Sequence, residues 1–129
     1  MPKIQGILKV KSTDDKETIK LTGIKRDNVW TMQDSQAVKY RFEYQNEMLK
    51  YDKQSEEKLN FLFDVYRETE AWYEVHQRKI NFRVKTEKLL VDNHDLQVSY
   101  QLYQGDMLLN TVIFSLQCEL LEEDQDDRL

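Results

Sequence analysis

The sequence predicts an all-β protein, a single antiparallel up-and-down β-barrel of about eight to ten strands. Three observations lead to this prediction. Apolar residues recur at every second position through most of the 129-residue chain. Short polar stretches separate these alternating runs. Those stretches are too short to hold the crossover helices that a parallel sheet requires. A sheet with one buried face and one solvated face produces a period of two.

The alternating runs follow one another from the N-terminus, and each is predicted to form a strand. Their positions are 4–10, 19–23, 38–44, 59–65, 71–75, 80–84, 96–102 and 112–118. The clearest is 38–44, "VKYRFEY", in which aromatic residues alternate with charged ones. The polar turn stretches are 12–17, 25–28, 45–47, 52–58, 67–70, 76–79, 91–95 and 104–107. They are short and polar, and most contain Asp or Asn, residues that favour turns.

One segment allows a second interpretation. In 55–73 several apolar residues also fall near one face of a helix, and Ser55 would cap its N-terminus. However, Phe61, Phe63 and Val65 alternate strictly and belong to types that favour strands. The strand interpretation is therefore preferred over the helix.

Barrel closure is predicted from the edges that such a long meander would expose. A closed barrel has no edge strand on which another chain can pair. A barrel of about eight strands is just wide enough to be filled by side chains or to hold one small ligand. The inward set is bulky and aromatic, which favours a well-filled interior.

The charges divide the chain into a barrel domain, 1–120, and an acidic tail, 121–129, which is expected to be disordered. The net charge of the chain is −5, and residues 119–129 carry six acids and one arginine. The remaining 118 residues therefore have no net charge. A neutral body with an acidic tail argues against a nucleic-acid partner, because phosphate binding requires a cationic surface.

Cellular location is inferred from the cysteine count and from the apolar runs. Cys118 is the only cysteine, so no disulfide framework forms within one chain. The N-terminus has no signal-peptide pattern, and no apolar run approaches the ~20 residues that span a bilayer. We therefore expect a cytoplasmic protein that does not enter a membrane.

Several pieces of the second half of the chain resemble a known family. An aromatic strand begins at Tyr73, the strand "INFRVKT" covers 80–86, and "LQVSYQLYQGD", 96–106, runs into a turn at Gly105. A last amphipathic strand, 108–117, follows, and "IQGILKVKS" at 4–12 matches the family's first strand. Together these pieces resemble the YwiB-like bacterial proteins, whose fold is a calycin-like (lipocalin-like) small β-barrel.

The resemblance implies a barrel and implies no reaction. The family tends to have a glycine where Arg78 stands here, before the strand 80–86. Glycine adopts positive φ at little cost and arginine does not, so the turn is expected to differ in shape.

No catalytic, metal or cofactor site is predicted, and the protein is not expected to be an enzyme. The chain has no glycine-rich phosphate loop and no cysteine pair for zinc. His76 and His94 fall in predicted turns, where surface residues are expected. Cys118 continues an apolar strand phase, which favours a core thiol over a nucleophile.

Inward aromatic residues are the candidate ligand-binding set. A buried tyrosine hydroxyl normally needs a partner, which is either the protein, bound water or a ligand. The alternative is that these tyrosines are ordinary core residues near the barrel ends. The candidates are Tyr40, Phe42, Tyr44, Phe61, Phe63, Tyr73, Phe82, Tyr100 and Phe114.

Two functions follow. The first is non-catalytic binding of a small, partly apolar ligand in the barrel lumen. The second is a structural or protein-interaction module, such as a homodimer. Two observations support the second function. Trp72 falls at a position of its strand that is predicted to face outward, and so do other apolar residues, such as Ile7 and Tyr66. The basic row Lys79, Arg83 and Lys85 is predicted to be a solvated outer face.

Overall fold

The computed structural model describes residues 3–121, and these residues form ten β-strands with no helix. The tail residues 122–129 lie outside the described residues, so their predicted disorder stays a prediction. The strands are β1 (Lys3–Lys11), β2 (Lys16–Arg26), β3 (Val29–Gln33), β4 (Lys39–Gln45), β5 (Met48–Gln54), β6 (Lys58–Phe63), β7 (Thr69–Val75), β8 (Arg78–Asp92), β9 (Asp95–Gln104) and β10 (Met107–Leu120).

The ten strands close into one antiparallel barrel, which confirms the predicted fold class. Each strand pairs with its neighbours in the chain, and β1 also pairs with β10. Segment 55–73 contributes β6 and most of β7, so the helical alternative is wrong. The prediction that Val65 faces inward is wrong. Strand β6 ends at Phe63, and Val65 lies in the following loop with 40% of its surface exposed. Among residues 3–121 no helix is long and apolar enough to cross a bilayer.

The up-and-down order places alternate turns at opposite ends of the barrel. The turns that follow odd-numbered strands lie at one end, which we call the mouth end. The turns that follow even-numbered strands lie at the other, which we call the closed end. The two ends differ in how completely side chains fill them.

The interior of the closed end is filled by fully buried side chains, although Val65 and Tyr66 are exposed in its β6–β7 loop. Large side chains from six strands meet there with at most 2% of their surface exposed: Ile4, Trp30, Leu49, Phe63, Leu96 and Leu116. Trp30 donates its indole N–H to the carbonyl oxygen of His94, at 2.9 Å. The one polar atom of this tryptophan therefore has a hydrogen-bond partner, and its ring fills the interior at this end of the barrel.

Most turns are shorter than the sequence predicted, although the β6–β7 link, 64–68, is longer than the predicted 67–70. The β7–β8 turn consists of His76 and Gln77 alone, both with positive φ, at 51° and 64°. Arg78 is already the first residue of β8, so the missing glycine is replaced by two ordinary residues in the left-handed region. Hairpins with two central residues of this kind match the twist of the flanking strands, although side chains other than Gly and Asn are strained there.

The side assignment of β8 follows the predicted alternation from Phe82 onward, whereas Ile80, predicted to wall the barrel, is 36% exposed near the mouth end. Val84 is buried and Phe82 is packed against the core, while Lys85 is exposed. Arg83 forms an ion pair with Glu68 at 2.9 Å on the outer face. The basic row of β8 therefore lies outside the barrel, and one of its cations has a specific acidic partner.

Candidate functional site

A cavity of about 170 Å³ remains inside the barrel at the mouth end. Its apolar wall comes from four strands and consists of Leu8, Val10, Ile19, Leu59, Phe61 and Phe114. Its polar lining consists of Tyr40, Tyr51, Tyr100, Glu17 and Lys53. The barrel is thus filled at one end and incompletely filled at the other.

Aromatic packing fixes two tyrosines in the wall of this cavity. The ring of Tyr51 stacks on Phe42 with centroids 4.8 Å apart and planes 3° apart. The ring of Tyr100 packs against Phe63 at 4.9 Å and Phe61 at 5.5 Å. These contacts hold both rings in place, so the positions of their hydroxyl groups are set before anything binds.

The hydroxyls of Tyr51 and Tyr100 are available for a bound molecule. Within residues 3–121 neither hydroxyl has a hydrogen-bond partner. Burial raises the pKa of both tyrosines far above the ordinary value. Both groups therefore stay neutral around pH 7, and each can donate one hydrogen bond and accept another. Both hydroxyls are accessible from the cavity, since the side-chain polar atom that is fully buried without a partner in residues 3–121 is Nδ1 of His94. A ligand or water in the cavity can therefore form hydrogen bonds with them.

Tyr40 forms the rim of the cavity and is tied to the β3–β4 turn. Its hydroxyl donates to the carboxylate of Asp34 at 3.1 Å. Asp34 also accepts from the backbone N–H groups of Gln36, at 2.8 Å, and Val38, at 3.1 Å. Burial and the neighbouring carboxylate together raise the pKa of Tyr40 well above its usual range. This tyrosine is engaged in holding the turn, unlike the two deeper ones.

Burial raises the pKa of Asp34, but its three hydrogen bonds outweigh that effect and leave the pKa below the ordinary value. Lys53 adds to the lowering and lies over the Tyr40 ring, with its Nζ 5.7 Å from the centroid. The rim therefore carries a fixed cation and a fixed carboxylate beside an apolar opening.

Sequence reasoning missed Tyr51, Glu17 and Lys53. Glu17 and Lys53 fall in the polar stretches that were predicted to be turns, yet β2 begins at Lys16 and β5 extends to Gln54. Tyr51 lies in "MLKY", 48–51, between two turn stretches, and alternates with Leu49. That run is a signal for a short strand, but it is too brief to be separated from a loop by periodicity alone.

The predicted candidates divide by their depth in the barrel. Tyr40, Phe61, Tyr100 and Phe114 line the cavity. Phe42 and Phe63 are fully buried beneath it.

The other three candidates do not line the cavity. Tyr44 and Phe82 are half-buried against the core. Tyr73 lies beside the β5–β6 turn, where a hydrogen bond to Glu57 raises the pKa of its hydroxyl. Strand alternation identifies inward residues but not their height along the barrel axis.

Cys118 and His94 lie at the closed end, away from the cavity. Burial raises the pKa of the Cys118 thiol to about 12, so the thiolate needed for nucleophilic attack is scarce at neutral pH. Asp95 accepts a hydrogen bond from the backbone N–H of Cys118 at 2.9 Å. His94 is half-buried, which differs from the exposed turn residue that the sequence predicted. In the described part of the chain no three His, Cys, Asp or Glu residues are grouped to hold a metal ion.

Comparison with known proteins gives a fold relationship. The structure is similar to the crystal structure of the ywiB protein from Bacillus subtilis, with a TM-score of 0.66 and 12% sequence identity. The match covers 93% of this chain and 91% of that one. No family model and no curated protein matches the sequence. The likeness establishes a YwiB-like barrel fold, and at this identity it establishes the fold alone.

Proposed function

We propose that this barrel binds a small, partly apolar molecule in the mouth cavity and does not transform it. The observation that carries the proposal is the pair of tyrosine hydroxyls, Tyr51 and Tyr100, that line the cavity without a partner in residues 3–121. Pockets with apolar walls and a few fixed polar groups are typical ligand sites.

The cavity volume limits the size of the ligand. At 170 Å³ it holds about five or six waters by their share of liquid volume. Sites for drug-sized molecules begin at roughly 300 Å³. The ligand therefore has a compact apolar body with one polar group directed at the tyrosine hydroxyls. A long chain or a fused ring system does not fit without movement of the wall.

The groups in the cavity support binding rather than catalysis. Both deep tyrosines are neutral, and the walls around them are aliphatic and aromatic. The charged groups, Glu17 and Lys53, belong to the polar lining with Tyr40. Nothing in this set pairs a nucleophile with a base.

Phenol and toluene are suitable probes, because they share a ring and differ in one hydroxyl. Binding is measured by NMR from the methyl signals of Leu8, Val10, Ile19 and Leu59. Phenol is expected to shift these signals and to bind more tightly than toluene. In the double variant Tyr51→Phe, Tyr100→Phe, we expect phenol to bind roughly fivefold to tenfold more weakly, as the loss of about one hydrogen bond implies.

Toluene provides the matched control, since the double variant keeps both rings and the packing of the cavity. Its affinity should change little. The proposal fails if neither probe shifts the four wall residues, or if phenol binds the double variant as tightly as it binds the unaltered protein.

A second candidate function is a protein-interaction module. Met107, Leu108 and Leu109 are consecutive residues that are 66%, 48% and 41% exposed, where the β9–β10 register is irregular between Leu108 and Asn110. An apolar run in this position favours contact with another protein. Sedimentation of the unaltered protein and of Leu108→Glu tests it: an assembly that the substitution dissociates supports an interface, and a monomer in both cases contradicts self-association.

A further inference from the structure

A second concave site lies on the outer face of the barrel, across β4 to β8. This outer groove has a volume of about 540 Å³, within the range of small-molecule sites. The strand register arranges its side chains in two parallel rows. The row nearer the mouth end is Lys39, Gln54, Lys58, Glu74 and Lys79. The row beside it is Arg41, Asp52, Asn60 and Trp72.

The groove is positively charged although the body of the protein is neutral. Five cations and two acids line it. Arg41 is neutralised by Glu43 at 2.8 Å. Lys39 and Lys58, in contrast, have no carboxylate within ion-pair distance in the described residues. Lys58 and Glu74 are opposite each other in the register without forming an ion pair. At least two cations of the groove are therefore free to contact an anion.

An aromatic ring and an amide form part of the same groove. Trp72 is half-buried and stands opposite Asn60, whose amide donates to Asp52. The Nζ atom of Lys79 lies 4.1 Å from the centroid of the Trp72 ring. A flat ligand that replaces Lys79 over this ring gains stacking contact and releases the ammonium group for an anion.

We propose that the outer groove binds a small organic phosphate that carries a flat ring, the chemistry of a nucleoside monophosphate. The lysines contact the phosphate, and Trp72 with Asn60 contacts the ring. A long nucleic acid is a poorer fit, because the positive charge is confined to this groove and the rest of the body has no cationic excess. Lys53 and Leu59 line both the groove and the lumen cavity, so the two sites adjoin at the mouth end, but Tyr51 and Tyr100 line the lumen cavity and not the groove.

Tryptophan fluorescence is a direct measure of binding, since the chain has only two tryptophans and Trp30 is fully buried at the closed end. Adenosine monophosphate is the probe, at low ionic strength. We expect a saturable change that disappears in Trp72→Phe, with calorimetry reporting any binding that remains. Inorganic phosphate can contact only the lysines, and adenosine can contact only Trp72 and Asn60. Both should therefore bind more weakly than the monophosphate.

Reversing the charge of one groove lysine tests whether the probe binds in the groove. Lys58→Glu should weaken adenosine monophosphate roughly tenfold or more, the loss expected for a charge-assisted contact. Lys88→Glu is the matched control, because Lys88 is also an exposed strand lysine and does not line the groove. The double variant Tyr51→Phe, Tyr100→Phe should bind the probe normally, which separates this site from the lumen.

Three results overturn the proposal. The first is a monophosphate affinity no greater than that of inorganic phosphate, which would leave an ordinary cationic surface. The second is an equal loss in Lys88→Glu and Lys58→Glu. The third is a loss of binding in the tyrosine double variant, which would place the probe in the lumen.

Discussion

The two ends of the barrel are built from the same strands but are packed differently. At the closed end, Trp30, Phe63 and Leu49 are fully buried and fill the interior, and the indole N–H of Trp30 has its hydrogen-bond partner. At the mouth end, the same strands stop filling the interior, and Tyr51 and Tyr100 present hydroxyls to a cavity. We therefore expect the closed end to contribute more of the folding stability, which leaves the mouth end available for binding.

The largest expected effect is on the free energy of unfolding. It compares the replacement of a phenylalanine by alanine at the closed end with the same replacement nearer the mouth end. Phe63→Ala removes a fully buried ring and should lower the free energy of unfolding by about 3–5 kcal/mol. Phe82→Ala removes a half-buried ring and should cost only about 1–2 kcal/mol. Urea unfolding of both variants measures the difference. Equal losses would show that stability is spread evenly along the barrel.

A smaller effect is expected from the turns. His76 and Gln77 at the mouth end, and Asn46 and Glu47 at the closed end, all have positive φ. Gln77→Gly and Glu47→Gly should each stabilise the protein by about 0.5–1 kcal/mol, because glycine relieves the strain of the left-handed region. Thermal unfolding should show similar gains in stability for the two variants. Similar gains would mean that the two ends differ in the packing of the interior and not in their turns. Gln97→Gly, in an extended strand, should destabilise instead.

Acid should weaken one loop at each end. Hydrogen bonds outweigh burial to lower the pKa of Asp34 at the mouth end, and the Tyr66 backbone N–H and Arg67 lower the pKa of Asp64 at the closed end. A carboxyl whose pKa is lower in the folded state stabilises the fold above its unfolded pKa of about 3.9. That stabilisation is lost as the pH falls through the folded pKa.

Urea unfolding at pH 6 and pH 3 checks this prediction. Asp34→Asn and Asp64→Asn should each lose less stability between the two pH values than the unaltered protein does. If Asp34→Asn has the same pH dependence as the unaltered protein, the Asp34 carboxylate does not stabilise the mouth-end turn.

The smallest expected effect on the free energy of unfolding comes from the outer surface. We expect that the stability of neither end depends on a single exposed ion pair. Arg83 contacts Glu68 at 2.9 Å and the carbonyl oxygen of Gly105 at 2.8 Å, and both charged side chains are about half exposed. Arg83→Glu should cost about 0.5 kcal/mol, and added salt should reduce that cost. Lys85→Glu, without an ion pair in residues 3–121, is the control and should cost less. Unfolding of the protein by Arg83→Glu would mean that this outer contact holds the barrel together.

The sequence predicted the barrel because periodicity records which face of each strand is buried. It also predicted the inward position of the ligand candidates and the outer position of the β8 cations. It left open whether the interior is filled or holds a cavity, since alternation does not record how high a residue lies along the barrel axis. Phe42 and Tyr100 have the same pattern, yet Phe42 lies in the filled core and Tyr100 lines the open space.

By itself, the sequence determined the strand class, the approximate strand count and the inward faces, because these depend on residues close together in the chain. The tertiary structure decided the rest. Closure of β1 on β10 brought Leu8 and Phe114 to the same cavity, and the register across β4 to β8 placed lysines from several strands around Trp72. Pairing between strands fixes these neighbours, and the strand pattern of one segment carries no information about the register of the next.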